Sequence, residues 1–245
     1  AACGAGAFRE GDAFVSLGTS GVLLAAKDSF APMPSSAVHT FCHALPDRWY
    51  QMGVILAATD SLNWLSQLLD TDAENLSSVV GKTINGPNKM QFLPYLSGER
   101  TPHNDSVIRG AILNIDITST RGDMVQTIME GVSFALRDSL EALNSTGTEL
   151  SQILGIGGGT QSPFWVEQLA TVLNLQIDLP EKGEFGAALG AARLALVGAT
   201  GQDPEAIMTA PKVAKSILPR DEFIEEYQDA YERYRKSYPA LRALT

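Results

Sequence analysis

Ile153-Leu154-Gly155-Ile156-Gly157-Gly158-Gly159-Thr160-Gln161-Ser162-Pro163 is the stretch that decides the fold. Four residues of apolar run are too short for a helix and read as a buried strand. Three glycines then break the run, and Pro163 suits the first turn of a helix, predicted to about Leu173. Leu175–Leu179 reads as the next strand. A strand, a helix and a second strand in succession imply parallel pairing through a right-handed crossover.

Working outward, Asp123–Leu143 carries the strongest helical period: Val125, Ile128, Val132, Leu136, Leu140 and Leu143 recur at three- and four-residue steps. Asp123 falls in its first turn, where a carboxylate suits the helix dipole. Upstream, Ala13–Leu17 and Val22–Ala26 flank Gly18-Thr19-Ser20-Gly21 and read as a hairpin. Ala37–Cys42 and Trp49–Met52 read as further strands around the turn Leu45–Arg48. Ala58–Leu69 switches to helical period, with Leu62, Leu65, Leu68 and Leu69 on one face. A short helix and loop are expected over Asp72–Asn88, strands over Met90–Leu93 and Gly110–Ile115, and a polar loop over Tyr95–Asp105. An Ala-rich helix is predicted from Phe185 to Val197, ended by Gly198. The tail, Asp221–Leu244, is expected to be a mostly solvated helix whose Asp221, Glu222, Glu225 and Glu226 face water. Together these give a mixed α/β domain.

The bulk composition narrows the partners. The 245 residues are 44% hydrophobic and 19% charged, with a formal net charge of −10. An acidic surface argues against nucleic acid, although local amides and Mg²⁺ still bind an anion such as ATP. No apolar run approaches the roughly 18 residues of a membrane span. Cys3 and Cys42 are expected to be reduced, buried small hydrophobes, and low cysteine use suits the cytoplasm. Around them, and around His39, His43 and His103, no metal-ligand spacing is found. The opening Ala1-Ala2-Cys3-Gly4-Ala5-Gly6 has no initiator Met or basic region, and reads as the middle of a longer Ala/Gly-rich segment.

Three turns leave backbone N–H groups uncovered for a phosphate: Gly18–Gly21, Gly98 within Ser97-Gly98-Glu99-Arg100, and Gly157–Thr160. The last leads into a helix N-terminus, which attracts anions. Its glycines also form a flat wall for a planar ring. From spacing alone, a tight hairpin fits the first turn and close strand–helix packing fits the last equally well. Neither the Walker nor the Rossmann glycine pattern is present. Arg100 either projects a cation toward a cleft or pins its own loop through Glu99 or Asp105.

Four segments occur in register: Ser16–Gly21, Tyr95-Leu96-Ser97-Gly98-Glu99-Arg100-Thr101-Pro102-His103, Gly157-Gly158-Gly159 with Trp165, and Gly186-Ala187-Ala188-Leu189-Gly190-Ala191-Ala192. Together they resemble the C-terminal domain of the FGGY carbohydrate kinases, over nearly the whole chain to Val197. The family's second signature resembles Gly110–Glu130, except that Asn114 stands where Gly is usual and Thr127 where Ala or Ser is usual. The resemblance implies a ribonuclease H-like domain of the actin/hexokinase ATPase type, a mixed sheet flanked by helices. The whole 1–245 stretch would be the C-terminal nucleotide-binding domain of a two-domain sugar kinase, with 219–245 as a helical tail.

By the same resemblance ATP, with Mg²⁺, meets Gly18, Thr19 and Ser20 through its terminal phosphates and Gly158, Gly159 and Thr160 through its adenosine. Thr59 and Asn63, the latter before Trp64, also reach the nucleotide. Arg100 sits on a possible cleft loop. The family's general base is an aspartate in a Gly-Gly-Gly-Asp-x-Ala-Ala stretch, which this register puts two residues before Ala1. No catalytic residue or metal ligand is therefore expected within the chain, and these residues alone are expected to be inactive. The implied partners are the sugar and the chain's own N-terminal domain, with a homodimer as a family expectation. The Ser97–His103 loop looks most like that of the xylulokinases, which implies D-xylulose as acceptor. Glycerol, gluconate or L-ribulose kinases, or a non-catalytic nucleotide-binding module, are the alternatives.

Overall fold

The computed structural model describes residues 1–181 and 186–244. Its centre is a seven-stranded mixed sheet. Strands β1 (Ala13–Leu17), β2 (Gly21–Lys27), β3 (His39–Cys42) and β4 (Trp49–Ile55) come first, then β7 (Gln152–Ile156), β8 (Gln176–Pro180) and β9 (Val213–Ile217). The spatial order is β3-β4-β2-β1-β7-β8-β9. β1, β7 and β8 are mutually parallel, while the pairs toward both edges are antiparallel. Between the halves, β5 (Gln91–Leu93) and β6 (Ala111–Leu113) form a separate antiparallel pair.

The helices are α1 (Ala2–Ala5), α2 (Thr59–Leu68), α3 (Ala73–Ser78), α4 (Arg121–Asn144), α5 (Pro163–Leu173), α6 (Ala187–Thr200), α7 (Pro204–Ile207) and α8 (Ile224–Arg242). α4 starts at a reciprocal cap. The Thr120 hydroxyl accepts the Asp123 N–H at 3.1 Å, and the Asp123 carboxylate accepts the Thr120 N–H at 2.8 Å. Its predicted apolar stripe, Val125 through Leu143, is buried. Gly131 lets α4 touch the β5 backbone: a Cβ there would lie 2.2 Å from the Phe92 carbonyl oxygen. One large core joins β1, β2, α2, α4, α5 and α8, and a smaller one around Phe14, Leu24 and Ile156 lies beneath α1.

Several sequence expectations are corrected. The tail helix is not mostly solvated: Tyr227, Tyr231 and Tyr234 are at most 1% exposed, and all three rings pack around Phe134. Their spacing of four and three residues makes one apolar stripe, while the charged residues occupy the other faces. Asp221, Glu222, Glu225 and Glu226 are exposed as expected. β9 was not anticipated, because its five residues are nearly all exposed and only its pairing with β8 defines it. Gly198 does not end α6. The helix runs on to Thr200, and Gly201 closes it in the left-handed conformation at φ 66°. The predicted start of that helix at Phe185 lies outside the described residues. Cys42 is exposed, whereas Cys3 is buried.

α6 rests on α1, where Gly190 allows close approach to Gly4 and Arg193 donates to the Cys3 and Gly4 carbonyls. Gly190 is its one fully buried residue, and Leu194 and Leu196 stay exposed. Asn114, the departure from glycine, adopts φ 61° just after β6. Asn is among the few side chains that tolerate this region, so the substitution keeps the turn. Thr127 is fully buried.

Three carboxyls are folded into this interior. Burial raises Glu130 and Glu99 to about 8 and Asp138 to about 6. The folded chain therefore holds these protons more tightly than the unfolded chain, whose ordinary values are 4.5 for Glu and 3.8 for Asp. Their contribution to stability is complete below about pH 4 and is lost as pH rises through about 6 and then about 8. Thermal melts at constant ionic strength are expected to fall by roughly 3–6 °C between pH 5 and pH 8.5. Glu130→Gln should flatten that decline. A melting temperature that rises over this range would contradict the assignment.

Candidate functional site

The two glycine turns meet. β1 and β7 run parallel as neighbours, with Ser16 opposite Ile156, so Gly18–Gly21 and Gly157–Thr160 leave the same end of the sheet. The carboxyl ends of parallel strands are where α/β sheets open a crevice for ligands. Gly157, at φ 93°, presses onto β1 so closely that a Cβ would lie 2.6 Å from the Leu17 carbonyl oxygen. A Cβ on Gly159 would fall 2.8 Å from the Leu17 Cβ and 3.2 Å from the Thr59 Cγ2.

The start of α2 closes the third side. The Thr59 N–H and hydroxyl both donate to the Gly18 carbonyl, at 2.9 and 2.8 Å. The Thr19 carbonyl accepts the Ala58 N–H at 2.8 Å. The hairpin turn thus caps α2 with its own carbonyls, and α2 holds the turn rigid. Gly18 is half-buried, while Thr19 and Ser20 are exposed.

Beside this junction lies a cavity of about 750 Å³. Thr59, Asn63, Gly158 and Gly159 line it, as does Ser162, the N-cap of α5. The Ser162 hydroxyl accepts the Trp165 N–H at 3.4 Å and caps the helix, whose positive end still borders the cavity and favours a negatively charged ligand. Thr160 does not line it: its N–H and hydroxyl both donate to the Gly157 carbonyl, at 3.1 and 2.8 Å, and so brace the turn. Trp165 lines the cavity but is itself buried, its indole N–H donating to the Met129 carbonyl at 3.2 Å.

The opposite wall was not legible in the sequence. Glu74, Ser77 and Ser78 of α3, with Gly81 and Lys82 after it, face the glycines across the cavity. Ser77 donates to the Ser162 hydroxyl at 3.1 Å and ties the two walls together. Lys82 is the one basic lining residue among the described residues and is exposed. No local motif marks this wall, because it exists only once α3 packs on α2 and reaches Ser162 at the start of α5.

Arg100 lies elsewhere. Its exposed side chain borders a shallow depression with Pro34, His39, His103 and Asn104. Pinning of the loop falls to the buried Glu99 carboxyl, whose Oε1 accepts the Leu56 and Arg100 N–H groups at 3.1 and 2.7 Å. Asp105 instead accepts the Tyr238 hydroxyl and pairs with Arg242, each at 3.0 Å. Among the described residues no three potential metal ligands gather, and no helix is long and apolar enough to cross a membrane.

Comparisons with known proteins identify the family. A model of the C-terminal domain of the FGGY family of carbohydrate kinases matches residues 13–199. The chain is 36% identical over 248 aligned residues to xylulose kinase of Escherichia coli K12, covering 99% of this chain and 51% of that protein. A solved xyloylose kinase from Brucella ovis superposes with a TM-score of 0.96 at 50% identity, over 100% of this chain and 50% of that one. A gluconate kinase from Lactobacillus acidophilus superposes with a TM-score of 0.84 at 25% identity, over 98% of this chain and 49% of that one. The chain spans about half the length of these relatives. It belongs to the FGGY family of carbohydrate kinases, as the part that corresponds to their C-terminal domain.

Proposed function

We propose that this chain is the nucleotide-binding half of an ATP-dependent ketose kinase that converts D-xylulose to D-xylulose 5-phosphate. The observation that carries the reading is the meeting of two glycine turns and Thr59 at the carboxyl end of β1 and β7, next to a cavity of about 750 Å³. That volume suits a nucleoside, since ligand cavities commonly run from roughly 300 to 1,000 Å³.

Adenosine sits between the Gly158-Gly159 wall and α3, with Asn63 at its side. The triphosphate then passes the start of α5 and Thr59 toward the Gly18-Thr19-Ser20 turn. Thr160 acts indirectly, by fixing the shape of its turn. Lys82, on the opposite wall, adds a positive charge that the rest of the cavity lining does not supply. Mg²⁺ travels with the phosphates, which with water supply most of its ligands, and offsets charge on the transferred group. Transfer to the sugar hydroxyl needs a proton acceptor and a sugar site, and both are assigned to the rest of the longer protein. The uncovered Ala/Leu face of α6 suits contact with that remaining part.

The similarity to proteins named xylulose kinase supports D-xylulose over other acceptors, whereas the fold, shared with a gluconate kinase, does not discriminate. The test is a panel of D-xylulose, L-ribulose, gluconate and glycerol with MgATP on the full-length polypeptide, with ADP release measured. D-xylulose should lead in kcat/KM by at least about tenfold, a difference of roughly 1.4 kcal/mol in transition-state binding. Equal or better turnover of another acceptor would overturn the assignment of the sugar. Residues 1–245 alone should transfer no phosphate to any of them.

A further inference from the structure

The central sheet ends on one side at β3, which pairs only with β4. Just past β3, the His43 N–H donates to the Arg48 carbonyl at 2.8 Å. Antiparallel strands alternate hydrogen-bonded and non-bonded pairs. With His43 and Arg48 bonded, the pairs two and four residues back, Phe41–Tyr50 and His39–Met52, are bonded too. Thr40 and Cys42 therefore turn their N–H and C=O groups away from β4.

A second copy of the same strand satisfies these groups. With a twofold axis at Phe41, Thr40 stands opposite Cys42 of the partner subunit, and Cys42 opposite the partner's Thr40. Each pair exchanges both of its backbone hydrogen bonds. No other antiparallel self-register pairs both residues within β3.

The side chains fit the same axis. Phe41 is 45% exposed, and its ring lies 5.8 Å from those of His39 and Tyr50. Tyr50 and Met52 pack against the small core beneath α1, so this apolar layer crosses β4 and stops uncovered at Phe41. The twofold sets the two Phe41 side chains face to face on that layer, in the closer, non-bonded kind of pair.

Charge selects the occupant. At a net charge of −10, copies of this chain repel each other over most of their surface. Although 19% of the chain is charged, residues 29–46 hold no Asp, Glu, Lys or Arg, and β3 lies within them. The upstream part of this stretch is held beside the edge: Gln51, the partner of Thr40, donates to the Ala31 carbonyl at 2.8 Å. Next to Ala31, Phe30 is 58% exposed. Of the bordering charges, Asp28 and Arg48 pair with each other at 3.3 Å. Interface centres are depleted in charge and enriched in aromatics. An acidic copy can approach here without like charges meeting, whereas a basic partner finds no carboxylate on the strand.

We propose that β3 is the pairing surface of a homodimer, joined antiparallel about a twofold axis at Phe41 so that two sheets become one. A strand of four residues makes a small contact, and the dimer is accordingly reversible. The proposal stands apart from the nucleotide reading, since no residue of β3 lines that cavity.

The experiment is sedimentation equilibrium of the full-length polypeptide from about 1 to 200 µM, where a monomer–dimer equilibrium is expected. Phe41→Asp sets two carboxylates opposite each other and should weaken the dimer at least about tenfold. The position is exposed, so its melting temperature should stay within roughly 2 °C of wild type. Phe41→Cys with Cys42→Ser reads the register. Cα atoms about 4.5 Å apart suit a disulfide, and diamide, which takes two electrons and two protons from the thiol pair, should link two copies. Val107→Cys with Cys42→Ser, at a position 61% exposed, should link far more slowly. A monomer at every concentration would overturn the proposal. So would a dimer indifferent to Phe41→Asp, which must use another surface, or linkage no faster at position 41 than at 107.

Discussion

Gly157→Ala is expected to abolish nucleotide binding and to destabilise the chain by about 2–4 kcal/mol, whereas Gly158→Ala, one residue on, should leave stability nearly unchanged. The contrast follows from position. At φ 93° any side chain is strained, and a methyl on Gly157 would meet three backbone atoms of Leu17 and Gly18 at 2.6, 2.7 and 3.1 Å. Backbone cannot rotate aside, so β1 and β7 must separate where the two turns meet. Gly158 has no atom within 4 Å of the corresponding point and borders the cavity. Gly158→Leu should therefore keep its melting temperature within roughly 2 °C yet weaken binding of an ATP analogue at least about tenfold, by filling the space meant for the ligand. Thermal denaturation and titration with a fluorescent ATP analogue separate the two effects. Wild-type affinity in Gly157→Ala and Gly158→Leu together would place the nucleotide elsewhere.

Removal of α8 and the residues after it, 224–245, is expected to leave a chain that does not fold. The helix buries Tyr227, Tyr231 and Tyr234 against Phe134, whose ring centroid lies 6.4, 6.0 and 5.3 Å from theirs. Each large aromatic lost from a core costs about 3–5 kcal/mol. Three together match the whole stability of a typical domain, about 5–15 kcal/mol. The truncated chain should show no cooperative unfolding transition in urea, followed by circular dichroism. Tyr234→Phe, which removes only the hydroxyl bonded to Tyr95 at 3.1 Å, should cost about 1 kcal/mol. A truncated chain with a wild-type midpoint would make the helix an accessory.

The contrast between these two predictions shows what sequence could reveal. The glycine turns were legible because each is a local event: a short apolar run, then a glycine-containing break, then a second strand from Gly21 in one case and a helix start at Ser162-Pro163 in the other. Their meeting was implied only by the family resemblance, which assigns both turns to one nucleotide; the parallel pairing of β1 with β7 that brings them together required coordinates. The far wall of the cavity was not legible, since Ser77 and Ser162 are 85 residues apart and touch only after α3 docks. The tail misled for a different reason. Its tyrosines repeat at helical spacing, but the abundant charges around them dominate any average over the segment. β9 left almost no trace, because a nearly fully exposed strand carries no inward pattern to detect. The roles of Thr160 and Arg100 also required coordinates: the first is turned into its own loop, and the second faces a different depression.

The sheet that brings the turns together ends in two open strands, and they are not alike. β9 carries Lys215 at its middle, a charge that discourages strand addition. β3, His39-Thr40-Phe41-Cys42, has no such guard and leaves Phe41 45% exposed. Lateral growth of the sheet from copy to copy is therefore inviting on one flank and resisted on the other. An association of that kind is self-limiting: β3 meeting β3 about a twofold axis uses up the receptive edge, so it stops at pairs and does not propagate into fibres.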